Sequence, residues 1–117
     1  MSGSDDQNKS ILNSIKKSLN ISKDYNAFDQ DIILLINSAF AILHQLGVGP
    51  DEGFSIEDST PTWDDYGLEL PLEDVKMFVY MQVRMIFDPP TASVLTSFEK
   101  QLDELKWRIV VAVEDLS

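Results

Sequence analysis

The chain has no cysteine, a single histidine and, from Asp51 to Asp74, not one basic residue. The first absence excludes disulfides and thiolate metal sites and fits a protein that works in a reducing compartment. The second removes the histidine pair of a metal site. His44, between Leu43 and Gln45 on a helical stretch, has no evident triad partners and is read as structural or surface. A glycine-rich phosphate loop is also missing. Apolar runs such as Ile32 to Ile36 are far too short to cross a bilayer. The opening Met1-Ser2-Gly3-Ser4-Asp5-Asp6 is acidic where a secretory leader needs basic residues. Asp29/Asp31 and Asp64/Asp65 lack the spacing of a calcium loop, and the first pair reads as helix-start acids. No catalytic, cofactor-binding or metal-binding residue is expected, and no enzyme.

The missing bases shape the charge. Nine of the 20 acids fall between Asp51 and Asp74, whereas the segments on either side are close to neutral, so one central stretch carries most of the net charge of −11. Such a block repels phosphates and argues against a DNA-binding protein.

What is present is apolar and helical. With 44% hydrophobic residues in 117, the chain is long enough for one domain with a real core. A helical hairpin turning on Asp88-Pro89-Pro90 organises the rest. Two prolines in a row cannot sit inside a helix, and they push the preceding residues out of helical geometry. One helix therefore stops near Phe87, and the next starts at Thr91, an acceptable N-cap. The second arm carries a heptad-like seam of Leu95, Phe98, Leu102, Leu105, Ile109, Ala112 and Leu116. Its outer face offers Lys100–Glu104, Glu104–Arg108 and Asp103–Lys106 as ion pairs.

Upstream, Ser10 to Leu19 reads as a short helix with Ile11, Leu12, Ile15 and Leu19 on one face and Lys16 and Lys17 opposite. A second helix runs from about Phe28 to Leu46 and stops at Gly47. Residues 47–70 form a long acidic loop with one short helical turn around Thr62–Tyr66, and residues 1–9 are expected to fray. The fold expected is all-α: a single domain over 1–117, a small bundle of about four helices with a C-terminal hairpin.

The Phe28–Leu46 and Leu72–Phe87 helices are apolar almost all round, more than a small bundle encloses on every side. That surplus implies self-association, with Ile33, Ile36, Phe40, Phe78, Met81 and Met85 facing a neighbour. Met77, Met81 and Met85 read as core or interface filler. Trp63, Asp64, Asp65 and Tyr66 either make a contact surface or tuck the loop onto its own core through Trp63.

Ile11-Leu12-Asn13-Ser14-Ile15-Lys16-Lys17-Ser18-Leu19-Asn20-Ile21, followed by Asp29-Gln30-Asp31-Ile32-Ile33-Leu34-Leu35-Ile36-Asn37-Ser38-Ala39, resembles the opening of the head–tail connector proteins of tailed bacteriophages. The second half resembles versions from siphophages and prophages of Gram-positive bacteria. There the match runs from Lys76-Met77-Phe78-Val79-Tyr80 to Phe87-Asp88-Pro89-Pro90, with Glu104-Leu105-Lys106-Trp107-Arg108 near the end. The resemblance covers about residues 10–110, and the acidic loop lies outside its motifs.

The resemblance implies a structural protein of the virion, assembled in the host cytoplasm. Such connectors form a ring, typically twelve-fold, beneath the portal, extend the DNA channel and dock a stopper or tail-completion protein. It implies portal contact through Trp107 and Arg108, a neighbour or channel facing Trp63, Asp64, Asp65 and Tyr66, and DNA that passes without specific binding. A dense acidic segment suits a channel wall, because fixed negative charge keeps phosphates from sticking. The competing reading is a small acidic inhibitor that mimics DNA and binds a host protein. It is weakened because the carboxylates cluster on a loop.

Overall fold

The computed structural model describes residues 9–67 and 72–116, the last without its side chain. Among the described residues the chain is all-helical, with five helices and no strand. They are α1 (Ile11–Ser18), α2 (Asp29–Gln45), the single turn α3 (Trp63–Tyr66), α4 (Leu72–Phe87) and α5 (Ala92–Leu116). The expected fraying of 1–9 lies outside the described residues up to residue 8, as do positions 68–70 of the acidic loop.

Each boundary has a local cause. The Ser10 hydroxyl caps α1 by accepting the Asn13 N–H at 3.2 Å, and Asn20 ends it in a left-handed conformation (φ 63°). Asp29 and Asp31 sit in the first turn of α2, and Gly47 (φ 83°) follows its end. Thr62 and Asp65 form a capping box that fixes α3 despite its length. The proline pair separates α4 from α5, whose first turn folds onto the Thr91 carbonyl.

α4 is the central element, packed most extensively on α2 and next on α5. Ile32, Ile36, Phe40 and Leu43 of α2 meet Val75, Phe78, Val79 and Val83 of α4, with Ile11, Leu12 and Ile15 of α1 completing the main cluster. The α5 seam is as read: Phe98, Leu105 and Ile109 are buried, and Leu95, Leu102 and Ala112 are partly so. Its last member, the Leu116 side chain, lies outside the described residues.

Residues 47–67 are a strap folded over α1 and α2. Val48, Ile56, Trp63 and Tyr66 enter the main core. The Phe40 ring meets Phe54, Trp63 and Tyr66 at centroid distances of 5.2, 6.2 and 4.8 Å. Hydrogen bonds pin it to α1 and α2. Ser10 Oγ donates to the Ser59 carbonyl (2.7 Å), Ile11 N–H to the Pro61 carbonyl (3.1 Å) and Trp63 Nε1 to Ser14 Oγ (2.9 Å). The Asn37 side chain both donates to and accepts from the Ile56 backbone (2.9 and 2.8 Å).

Three expectations are corrected. Ile33, Ile36, Phe40, Phe78 and Met81 are buried within the chain itself, and Met85 is half-covered against the Met81–Phe98–Leu105 cluster. They do not form a free outer face, because the strap covers α2 and α5 covers α4. Lys16 is not on the solvent side of α1 but is 1% exposed. Its ammonium meets Asp29 Oδ1 at 2.7 Å and donates to the carbonyls of Lys23 (3.1 Å) and Tyr25 (2.8 Å). The ion pairs foreseen along α5 are also absent among the described residues; Arg108 reaches Asp74 of α4 instead (3.6 Å).

Candidate interaction surfaces

Nothing in the described residues gathers three or more metal-binding side chains, and no described helix is long and apolar enough to cross a membrane. The surface therefore has to be read for contacts.

The strap divides by residue type. Trp63 (3% exposed) and Tyr66 (2%) are core anchors, not contact residues, which corrects their assignment to a neighbour or channel. The loop is tucked onto its own core, as the alternative reading held. Asp64 and Asp65 stay on the surface with Asp51, Glu52, Glu57 and Asp58. The Asp65 carboxylate already accepts the Thr62 N–H (2.8 Å), and that of Asp58 accepts the Thr60 N–H (2.8 Å). His44 is exposed, with Nε2 set 2.9 Å from the Asp51 carbonyl, a structural and surface role as read.

The Tyr66 hydroxyl is buried without a hydrogen-bond partner. Burial disfavours the phenolate and pushes its pKa up to about 12. It packs so close to Gly49 (φ 94°) that a Cβ there would lie 2.8 Å from the hydroxyl oxygen. Only glycine fits that backbone.

The exposed apolar surface lies on residues other than those expected. Trp107 is 69% exposed, because position 107 falls on the side of α5 opposite the Leu105–Ile109 seam. Arg108 next to it is more than half exposed despite its reach to Asp74. Leu34, Met77, Ile86 and Val94 also face outward. Near the hairpin turn Tyr25, Phe28 and Phe87 stack edge-to-face at 5.7 and 5.4 Å.

Between the end of α1 and α4 runs an open furrow. Its broader part, about 420 Å³, is lined by Ser18, Glu73, Lys76, Met77 and Tyr80. A narrower part of about 110 Å³ continues along Leu19, Asn20, Arg84 and Asp88. A second cleft of about 230 Å³ lies between α4 and α5, with Met77 and Arg108 among its walls.

With a helical hairpin, an outward tryptophan and no cluster for chemistry, comparison with known families becomes decisive. A family model described as phage connector protein matches residues 11–115, nearly the whole chain. The chain belongs to that family. Searches among curated proteins and among solved structures returned no match.

A connector is a structural component of the phage, not typically an enzyme, and it works by touching other head and tail proteins. Of the sequence-expected contact residues, Asp64, Asp65, Trp107 and Arg108 are accessible on this connector, whereas Trp63, Tyr66 and the six apolar helix residues are largely enclosed. The furrow was missed by sequence reasoning. Lys76, Tyr80 and Arg84 recur at steps of four along α4, the one signal that could have marked a shared face.

Proposed function

We propose that this connector assembles into a ring, typically twelve-fold in the family it resembles, beneath the portal at the head–tail junction. It extends the DNA channel there and docks the stopper or tail-completion protein. The observation that carries this reading is the outward Trp107. A tryptophan left 69% exposed on a domain with a full core is surface held for a partner. Leu34, Ile86 and Val94 supply further apolar surface for neighbouring copies. The acidic strap faces a neighbouring copy or the channel, where fixed negative charge keeps DNA phosphates from adhering. Trp107 and Arg108 are the portal contacts.

The test is the mass of the purified chain over a wide concentration range, by light scattering or native mass spectrometry, alone and with purified portal protein. A large closed oligomer, free or formed on the portal, is expected. A chain that stays monomeric and does not bind the portal overturns the reading. Portal contact is tested with Trp107→Ala and Arg108→Ala, not by truncation after Lys106, which would remove the buried Ile109.

A further inference from the structure

The furrow beside α4 brings Lys76 and Arg84 to one side of the helix, with Glu73 and Asp88 at its ends. Its two parts share Ser18 and Tyr80, and it follows α4 from Glu73 to Asp88, about 22 Å of helix. Along it stand Lys76 and Arg84, about 12 Å apart by helix rise. Arg84 is held in place. Its Nη1 donates to Tyr80 Oη (3.1 Å), Nε donates to the Asp88 carbonyl (3.2 Å), and the guanidinium lies over the Phe98 ring (5.6 Å). Its Nη2 donors are unused by these contacts. The ion-pair partner of Lys76 is Glu73 at 3.5 Å, and that carboxylate is 88% exposed, so the pair is weak and exchangeable. Glu73 and Asp88 stand at the two ends, so the cationic stretch of the furrow is the part between Lys76 and Arg84.

The chain's own strap already uses the neighbouring stretch of this trough. Trp63 donates to Ser14, one helical turn before Ser18, and Lys76 lies over the Trp63 ring at 5.7 Å. The open furrow continues from there. The strap itself is anionic and has no base of its own. Its exposed Glu52, Glu57 and Asp64 carboxylates take no part in its internal hydrogen bonds.

We propose that the furrow receives the acidic strap of a second copy of this chain. The argument is local charge complementarity: the strap carries carboxylates alone, and the stretch of the furrow between its acidic ends offers Lys76, the held Arg84 and neutral donors. Donor surface and acceptor surface are different parts of one molecule, so the contact is heterologous and runs head to tail, the kind that closes into rings. The inference rests on the ring reading above and names the faces that meet.

Two charge-reversal variants test it. One carries Lys76→Glu and Arg84→Glu in the furrow; the other carries Glu52→Lys, Glu57→Lys and Asp64→Lys in the strap. Circular dichroism checks that each keeps its helices, and Lys76→Glu alone serves if Arg84 proves needed for folding. Association is read by native mass spectrometry at low salt, alone and with portal protein. Each variant by itself is expected to associate at least ten-fold more weakly than the unaltered chain. An equimolar mixture is expected to recover, because every junction in an alternating ring then pairs opposite charges. Variants that assemble like the unaltered chain, or a mixture that does not recover, overturn the furrow contact and leave the ring reading standing. An unaltered chain that never self-associates, with or without portal, overturns both.

Discussion

Replacing Lys16 by methionine tests the least foreseen feature of the fold. The ammonium is enclosed, and it joins Asp29 to the carbonyls of Lys23 and Tyr25. Methionine keeps the length of the stem but leaves two carbonyls without their donor and a partly buried carboxylate without its cation. Each lost hydrogen bond is worth about 1 kcal/mol. Removing one partner of a fully buried ion pair costs about 3–5 kcal/mol in all, and the 21% exposure of Asp29 puts this case at the lower end. The expected loss is about 3 kcal/mol, or about 12 °C in Tm for a domain of this size. Urea unfolding followed by far-ultraviolet circular dichroism reads it as a lower midpoint with an unchanged slope. Adding Asp29→Asn should recover about half, because no unpaired charge then remains. A Lys16→Met midpoint within about 0.5 kcal/mol of the unaltered chain would refute the three-point tie.

Other outcomes follow from the same contacts. Tyr66→Phe removes a buried hydroxyl that has no partner and should leave stability at pH 7 unchanged or raise it by up to about 1 kcal/mol. The phenol pKa is raised in the folded state, so its stabilisation is complete below about pH 10 and is lost as pH rises toward 12. Alkaline unfolding should show the unaltered chain losing about 2–3 kcal/mol relative to Tyr66→Phe across that window. Asn37→Ala strips both hydrogen bonds from the buried Ile56 backbone and should cost about 2–3 kcal/mol in urea unfolding. Trp107→Ala should stay within about 0.5 kcal/mol of the unaltered chain in the same assay while losing portal binding in a pull-down.

The hairpin was legible because its signals are local. The proline pair stops one helix and frees the next, and the seam repeats within a single element. The same holds for Gly47 and for the turn at Thr62–Tyr66, whose capping box spans four residues. Lys16 was misread because spacing alone puts it at the edge of the α1 apolar face. The connection that folds back over it, presenting the carbonyls of Lys23 and Tyr25, leaves no periodic trace. The six apolar residues assigned to a neighbour were misread for a related reason. Apolarity shows that a face is covered, not by what: here an irregular acidic strap brings Val48, Ile56, Trp63 and Tyr66 over α2, and α5 brings Phe98 and Leu105 against Met81 and Met85. The outward side of Trp107 follows from the seam it opposes, but the portal assignment of Trp107 and Arg108 came through the family likeness alone.

The strap is tied to α1 across a sequence separation of 49 residues, both at Ser10–Ser59 and at Ser14–Trp63. Neighbouring helices can pair within one short connection, but this closure has to wait until α1 and α2 exist to receive it. The strap is therefore expected to dock after α1 and α2 during folding and to open more readily than the middle of α4 in native-state fluctuation. The amides of Ile11 and Ile56 should exchange with solvent deuterium sooner than those in the middle of α4. Opening would bare Phe40 and the α2 surface beneath it without disturbing the hairpin that carries Trp107. Faster exchange at Ile11 and Ile56 would mean that the connector loosens at its acidic edge while its tryptophan-bearing helix stays whole.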